Sequence, residues 1–173
     1  MIEVELRGFL TRDKYTYLLE FFKKHGSGFE DDSKTARYFR YNQGILKIVD
    51  EKSQGKYKLS LKEGDEYKSL GMKETEIYLE SRSDYNTAFD LLESLGFVVK
   101  STVEQQRTNV IYKKIQFALK YTVSWGYHFE AEMLVSDNHH IQNARQHILD
   151  ICSQLDIQTL TEAELKDFLR TLE

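Results

Sequence analysis

From Ile2 to Phe9 the chain alternates without a break, with Ile2, Val4 and Leu6 on one side and Glu3, Glu5 and Arg7 on the other. That two-residue period belongs to a strand with one face in a core and the other carrying charge, and a helix does not satisfy it. The pattern returns. Lys58 and Lys62 share a face in a later segment, Glu74 and Glu76 in another, and Glu130 and Glu132 in a third. Such repetition commits the chain to an antiparallel sheet with a charged polar face.

Helical spacing appears between the strands. Thr11 is placed to cap a helix in which Tyr15, Leu18, Leu19 and Phe22 recur, before His25-Gly26 ends it. Strands are predicted over residues 35–41 and 44–51 around Asn42-Gln43, over 56–61 after Ser53-Gln54-Gly55, and over 73–80. Ser83 is expected to open a second helix, with Ala88, Leu91, Leu92 and Leu95 apolar and Gly96 as its stop. Further strands follow at 97–103, 107–112, 115–122 and 127–135. A third helix over about 138–155 carries Ile141, Ala144, Ile148, Ile151 and Leu155 on one stripe. The last starts at Thr161 with Glu164 in a capping box and buries Leu165, Phe168 and Leu169.

Eight or nine strands interrupted by helices make an α+β fold, and a sheet of that many strands can close on itself and remove its edges. The 173 residues fit a single domain spanning 1–173, without a linker or low-complexity tract. No run approaches the ~18 apolar residues of a membrane span. The N-terminus lacks the apolar stretch of a signal peptide, so the expected compartment is the cytoplasm, with no membrane partner. Cys152 is the one cysteine, which excludes an intrachain disulfide and a Cys-based zinc site. Net charge is −4 although 30% of residues are charged. The basic surplus of a DNA binder is missing. With no glycine-rich phosphate loop, P-loop and dinucleotide readings also fail.

The charges therefore matter by placement. Glu130 and Glu132 sit among Phe129, Ala131, Met133, Leu134 and Val135, where two carboxylates are costly unless a cation meets them. Carboxylates at i and i+2 of a strand face one side, and several such groups suit Mg²⁺ or Mn²⁺, hard ions that also bridge to phosphates. Lys and Arg on neighbouring strands can neutralise the remaining phosphate charge. His139, His140 and His147 read as solvated, since no carboxylate or cysteine completes a ligand set. Cys152 reads as core, Lys23-Lys24 and Lys113-Lys114 as solvated charge, and Trp125 as a turn residue that either closes a barrel mouth or packs.

Glu3-Val4-Glu5-Leu6-Arg7 resembles the ExExK signature of the CYTH domain, the triphosphate tunnel metalloenzyme superfamily. In order along the chain, Ile45-Leu46-Lys47-Ile48-Val49 is similar to its LRIR strand, Leu59-Ser60-Leu61-Lys62 to LTLK, and Lys73-Glu74-Thr75-Glu76 to the REExE type. Leu95-Gly96-Phe97 followed by Arg107 resembles the LGF…KxR segment, and Trp125 to Glu132 the LGxFxExE strand. Each motif is weak alone. Their shared order over residues 2–135 is what carries the resemblance.

The resemblance implies a closed antiparallel β-barrel of eight or nine strands with flanking helices and a polar tunnel. It implies Glu3, Glu5, Glu130 and Glu132 as carboxylates for Mg²⁺ or Mn²⁺. Arg7, Lys47, Lys62 and Arg107 would grip phosphate, with Arg40 and Lys58 as further substrate contacts, and Glu74 and Glu76 would orient basic side chains or hold a second metal. Glu3, Glu5, Arg7 and Arg107 are the expected catalytic residues. The implied activity is hydrolysis of a triphosphate-bearing small molecule: ATP, tripolyphosphate or thiamine triphosphate. Two alternatives stand beside it, a class IV adenylyl cyclase making cyclic AMP and pyrophosphate, and a binding module without turnover. A homodimer is compatible with such a barrel. Four positions depart from the pattern: Arg7 where Lys is usual, Val49 and Gln105 where bases are usual, and Lys120 where an aspartate often stands. Arg37, Arg40 and Lys120 are the cations available to restore the charge.

Overall fold

The computed structural model describes residues 2–63 and 73–172. Along them run β1 (Ile2–Phe9), α1 (Arg12–His25), β2 (Ser27–Phe39), β3 (Gly44–Glu51), β4 (Lys56–Glu63), β5 (Lys73–Leu79), α2 (Arg82–Ser94), β6 (Val99–Tyr112), β7 (Ile115–Thr122), β8 (Gly126–Val135), α3 (Ile141–Gln154) and α4 (Glu162–Arg170). The strands order as β1-β8-β7-β6-β2-β3-β4-β5, with β1 and β5 at the two ends of the order. Every register described is antiparallel. The fold is thus α+β, with an eight-stranded antiparallel sheet. Among the described residues no helix is long and apolar enough to cross a membrane.

Among the described residues there are eight strands rather than nine, because residues 99–112 form a single strand. Glu104-Gln105-Gln106 contains no breaker, and half-buried Val103, Gln105 and Arg107 alternate with exposed Glu104 and Gln106. β2 starts at Ser27 instead of Thr35. Its first half carries a single large apolar residue, Phe29, so apolar periodicity could not reveal it.

The chain divides into two compact units, each with its own core. The first holds the residues up to Asp31 and from Arg107 onward. There Val4, Leu6, Phe117, Leu119, Phe129 and Ala131 bury the apolar face of β1, β7 and β8 with Leu18 and Phe22 of α1 and Ile148, Ile151 and Cys152 of α3. The Thr11 hydroxyl accepts from the Lys14 N–H at 3.1 Å, and Thr161 with Glu164 forms the expected capping box. Gly8 permits a close approach: a Cβ there would lie 2.1 Å from the Gln158 carbonyl oxygen. The β6–β7 turn is made by Lys113 and Lys114, both at positive φ.

The second unit holds the described residues from Asp32 to Gln106. Its core joins Phe39, Leu46 and Ile48 to Tyr85 and Leu92 of α2. Ser81, not Ser83, caps α2, because its hydroxyl is the one that accepts from the Asp84 N–H. Leu91 and Leu95 of the expected apolar stripe are exposed. Arg37 faces the helix: its Nη1 donates to the Tyr85 hydroxyl at 2.8 Å, and its guanidinium lies 4.9 Å from the Phe89 ring centre. Of the cations available to restore the charge, Arg37 is thus engaged with α2.

Candidate functional site

In the first unit the polar face is built by the register of β1, β8 and β7. Glu5 stands directly opposite Glu132, Arg7 opposite Glu130, and Glu3 opposite Leu134. On the other side of β8, Gln116 faces Glu132, Ala118 faces Glu130 and Lys120 faces His128. Since directly opposed residues share a face, Glu3, Glu5, Arg7, Lys120, His128, Glu130 and Glu132 all project from one side of the sheet.

Their charges pair closely. Arg7 Nε donates to Glu5 Oε1 at 2.5 Å and lies 3.4 Å from Glu130 Oε1. Lys120 Nζ donates to Glu130 Oε2, and Arg107 Nη1 is 3.9 Å from that same oxygen. Arg107 Nε also donates to Asn109 Oδ1. Burial would raise the Glu130 carboxyl, but Lys120, Arg7 and Arg107 outweigh it and hold the group well below the usual carboxylate range. Burial, with Arg107 adding to it, pushes the Lys120 ammonium down to about 7 against the pull of Glu130 and Glu5. Burial likewise pushes His128 down to about 4. The imidazole is neutral at neutral pH, with its Nδ1 3.0 Å from the Gly126 carbonyl oxygen.

In the second unit the polar face runs across β2 to β5, where Lys47 is opposite Ser60, Val49 opposite Lys58, Ser60 opposite Glu76 and Lys62 opposite Glu74. Lys34 Nζ meets Asp32 at 3.1 Å and Glu51 at 2.6 Å. Lys58 Nζ meets Glu76 at 2.6 Å and Glu51 at 3.7 Å. Glu74 accepts from the Ser60 hydroxyl at 2.6 Å, with Lys62 at 3.4 Å and Lys47 at 3.8 Å. Burial opposes ionisation of Glu51, Glu76 and Lys58, yet their hydrogen-bonded partners prevail, lowering both carboxyls and raising the amine. Glu74 and Glu76 thus sit where they can orient lysines. Arg40 does not join them. It is exposed just past β2, on an open depression of about 490 Å³ that Tyr41, Asn42, Gln43, Gly96 and Val98 also line.

A four-carboxylate metal cage does not fit the first unit's face, because both oxygens of Glu130 are already engaged by Lys120, Arg107 and Arg7. Among the described residues no three His, Cys, Asp or Glu side chains gather around a point that could hold an ion. Glu5 and Glu132 are a directly opposed pair of carboxylates on this face, with Glu5 accepting from Arg7; Mg²⁺ commonly uses one or two carboxylates and takes its remaining ligands from water and substrate phosphates.

Several site residues escaped the sequence reading. Asp32, Lys34, Glu51 and Tyr78 belong to the second unit's network, and the Tyr78 hydroxyl donates to Glu76 at 3.1 Å. Asp50-Glu51 at the end of an apolar strand was the one available signal for Glu51. Trp125 packs, with ring centres 4.7 Å from Phe168 and 5.8 Å from Phe9. His140 meets Asp137, and His147 meets the Lys113 carbonyl, as solvated histidines do. Burial pushes the Cys152 thiol up to about 12, which suits a core residue rather than a nucleophile.

The family model for the CYTH domain matches residues 1–164. Among solved structures, a conserved hypothetical protein of Pyrococcus furiosus is similar at a TM-score of 0.76 and 20% identity, over 94% of this chain and 99% of that one. A Vibrio parahaemolyticus protein proposed to be an adenylate cyclase is similar at a TM-score of 0.74 and 16% identity, over 98% of both chains. A Hippeastrum protein, proposed as an adenylyl cyclase and described as having a dominant triphosphatase activity, is similar at 0.66 and 13%, over 91% of this chain and 89% of that one. A search of curated proteins gave no match.

Proposed function

This chain belongs to the CYTH domain family, and on that premise we propose that it hydrolyses triphosphate-bearing small molecules with the help of a divalent ion, Mg²⁺ or Mn²⁺. One observation carries the reading. On a single face of the first unit, an opposed carboxylate pair, Glu5 and Glu132, adjoins two guanidinium groups, Arg7 and Arg107, that converge on Glu130.

The roles follow from the chemistry of each group. Arg7 and Arg107 offer planar, permanently charged donors to phosphate oxygens, and they stabilise the charge that builds on the transferred group and the leaving diphosphate as water attacks phosphorus. Glu5 and Glu132, with Glu3 beside them, would hold the divalent ion. When bound, such an ion neutralises non-bridging phosphate oxygens. Glu130 positions both arginines. In the second unit, Lys47, Lys58 and Lys62 form a surface whose cations suit phosphate oxygens, already oriented by Glu74 and Glu76.

The similarity to the Vibrio protein supports a second reading, attack by the ribose 3′-hydroxyl of ATP on the α-phosphorus to give cyclic AMP and pyrophosphate. Incubation with ATP or tripolyphosphate and Mg²⁺ or Mn²⁺, followed by ³¹P NMR, separates the two. Orthophosphate release is the expected result, and cyclic AMP with pyrophosphate selects cyclisation. Absence of product, with tight tripolyphosphate binding by calorimetry, leaves a non-catalytic binding module and overturns both enzyme readings. Arg7→Ala and Arg107→Ala should each lower turnover by about 10²-fold or more, the scale of losing one charge-stabilising donor. Glu132→Gln should remove metal-dependent turnover, and full activity in that variant would refute the ion's placement.

A further inference from the structure

We propose that Tyr78 is a specificity-determining residue, a ring platform on the second unit's polar face that receives a flat heteroaromatic group carried by the triphosphate substrate. This rests on the triphosphate reading above and deepens it, since it selects ring-bearing triphosphates over bare tripolyphosphate.

Tyr78 shares its face with the lysines. On β5 it stands directly opposite Lys58, as Glu76 stands opposite Ser60 and Glu74 opposite Lys62. The other face of β4 and β5 packs on α2, where Tyr57, Leu59 and Leu79 join the core around Tyr85. By alternation Tyr78 points away from that core, and it is 63% exposed. Its orientation is nonetheless set from two sides. The hydroxyl donates to Glu76 Oε2 at 3.1 Å, and Lys58 Nζ lies 5.9 Å from the ring centre. Lys58 in turn donates to Glu76 Oε1 at 2.6 Å, so tyrosine, lysine and carboxylate form a closed set. The ring is thus held open to a ligand with little freedom left to lose on contact, its polar end tied and its apolar body in water.

The cross-strand rows show what such a ring would accompany. Ala36, Val49, Lys58 and Tyr78 are opposed in succession across β2, β3, β4 and β5. Lys58 is the one cation of the four, and Glu76 at 2.6 Å and Glu51 at 3.7 Å already engage it. One same-face step along the strands, about 7 Å, the next row holds Lys47, and a second step brings Lys62. Glu74 meets these two at the longer distances of 3.8 and 3.4 Å. The face is therefore polarised, with an exposed aromatic ring at one row and cations suited to phosphate one and two rows away. A ligand with a planar ring at one end and a phosphate chain at the other matches that order. Bare tripolyphosphate uses only the lysine end. Stacking on an aromatic ring tolerates any flat heterocycle, so a nucleobase and the rings of thiamine are both candidates, and the test separates them.

The test compares wild type with Tyr78→Phe and Tyr78→Leu. Both changes remove the hydroxyl bond to Glu76, and they differ in whether a ring remains. ATP, thiamine triphosphate and tripolyphosphate are the probes. The readout is kcat/KM with Mg²⁺ or Mn²⁺ where the chain turns them over, and Kd by calorimetry where it does not. Tyr78→Leu should handle at least one ring-bearing triphosphate about 10-fold less well than Tyr78→Phe does, with no comparable difference for tripolyphosphate. A loss for ATP alone or thiamine triphosphate alone names the ring, and a loss for both shows that either is accepted. A merely structural role for Tyr78 would change all three probes together. Equal handling of both ring-bearing compounds by the two variants, or equal losses across all three probes, overturns the inference while the triphosphate reading stands. So does a wild-type chain that takes tripolyphosphate and neither ring-bearing compound. Neither binding nor turnover of any probe by wild type removes that reading and the inference with it.

Discussion

Replacing His128 by Gln should remove a pH dependence of stability that the wild-type chain owes to one buried imidazole. His128 is 4% exposed on β8, beside the Trp125 ring at 5.0 Å, with Lys120, Glu130 and Arg7 as its charged neighbours. Burial lowers its pKa to about 4, against about 6.5 in an unfolded chain. Between those values the unfolded chain binds the proton more readily than the folded one does. The group's contribution is therefore whole above the unfolded pKa, declines as pH falls through about 6.5, and levels off below about 4. At about pH 5 the solution lies roughly 1.5 units below the unfolded value, and at about 1.4 kcal/mol per unit the loss relative to about pH 7.5 is about 2 kcal/mol. Urea unfolding followed by Trp125 fluorescence, run on both proteins at both pH values, isolates this contribution, because the carboxylates titrate in each. The stability of wild type relative to His128→Gln should fall by about 2 kcal/mol on acidification. An unchanged difference, or an NMR titration of the imidazole with its midpoint near the ordinary value, refutes the reasoning.

Two other substitutions probe the fold. Gly8→Ala drives a methyl group to 2.1 Å from the Gln158 carbonyl oxygen, a backbone atom that cannot turn aside, and should cost about 3 kcal/mol in urea unfolding; a loss under about 1 kcal/mol would show that the 157–160 segment yields easily. Lys113→Asn with Lys114→Gly should stabilise the chain, because both lysines hold φ angles, 51° and 67°, that suit Asn and Gly in a two-residue hairpin turn. About 1 kcal/mol of relief corresponds to a rise of about 2–4 °C in Tm for a chain this long, checked by calorimetry.

The sheet was legible because alternation is a direct image of the pleat. Ile2 to Phe9 shows it plainly, and the structure keeps Val4 and Leu6 buried with Arg7 at the polar side. Alternation failed where a segment carries only one large apolar residue, Phe29. The first half of β2, Gly28 to Lys34, contributes little to a core, and its place in the sheet depends on partners distant in sequence, such as Thr108 donating to Asp31 at 2.5 Å. Cross-strand register was equally out of reach. A chain read in one dimension shows Glu130 and Glu132 as equivalent carboxylates two residues apart. Only pairing with β7 reveals that Ala118 and Lys120 make them different, leaving Glu132 opposite Gln116 and Glu130 under an ammonium. Lys120 was visible as a departure from the family pattern, but its burial was not.

Both polar faces answer a question that net charge cannot. In the second unit Lys34, Lys47, Lys58 and Lys62 are set against Asp32, Glu51, Glu74 and Glu76, so each of these four lysines works in the field of a carboxylate. Such a face holds its ammonium groups in place before any ligand arrives, which reduces the side-chain entropy lost on binding. It also sets a threshold. A ligand with one negative charge offers a lysine nothing that Glu74 or Glu76 does not already supply, and its own desolvation counts against it. A chain of phosphates carries more charge per contact and can engage several lysines at once, so its gain grows with each contact while the carboxylates, fixed on their strands, cannot follow. On the triphosphate reading proposed above, the same pairing that makes the sequence read as neutral should favour polyanions over simple anions.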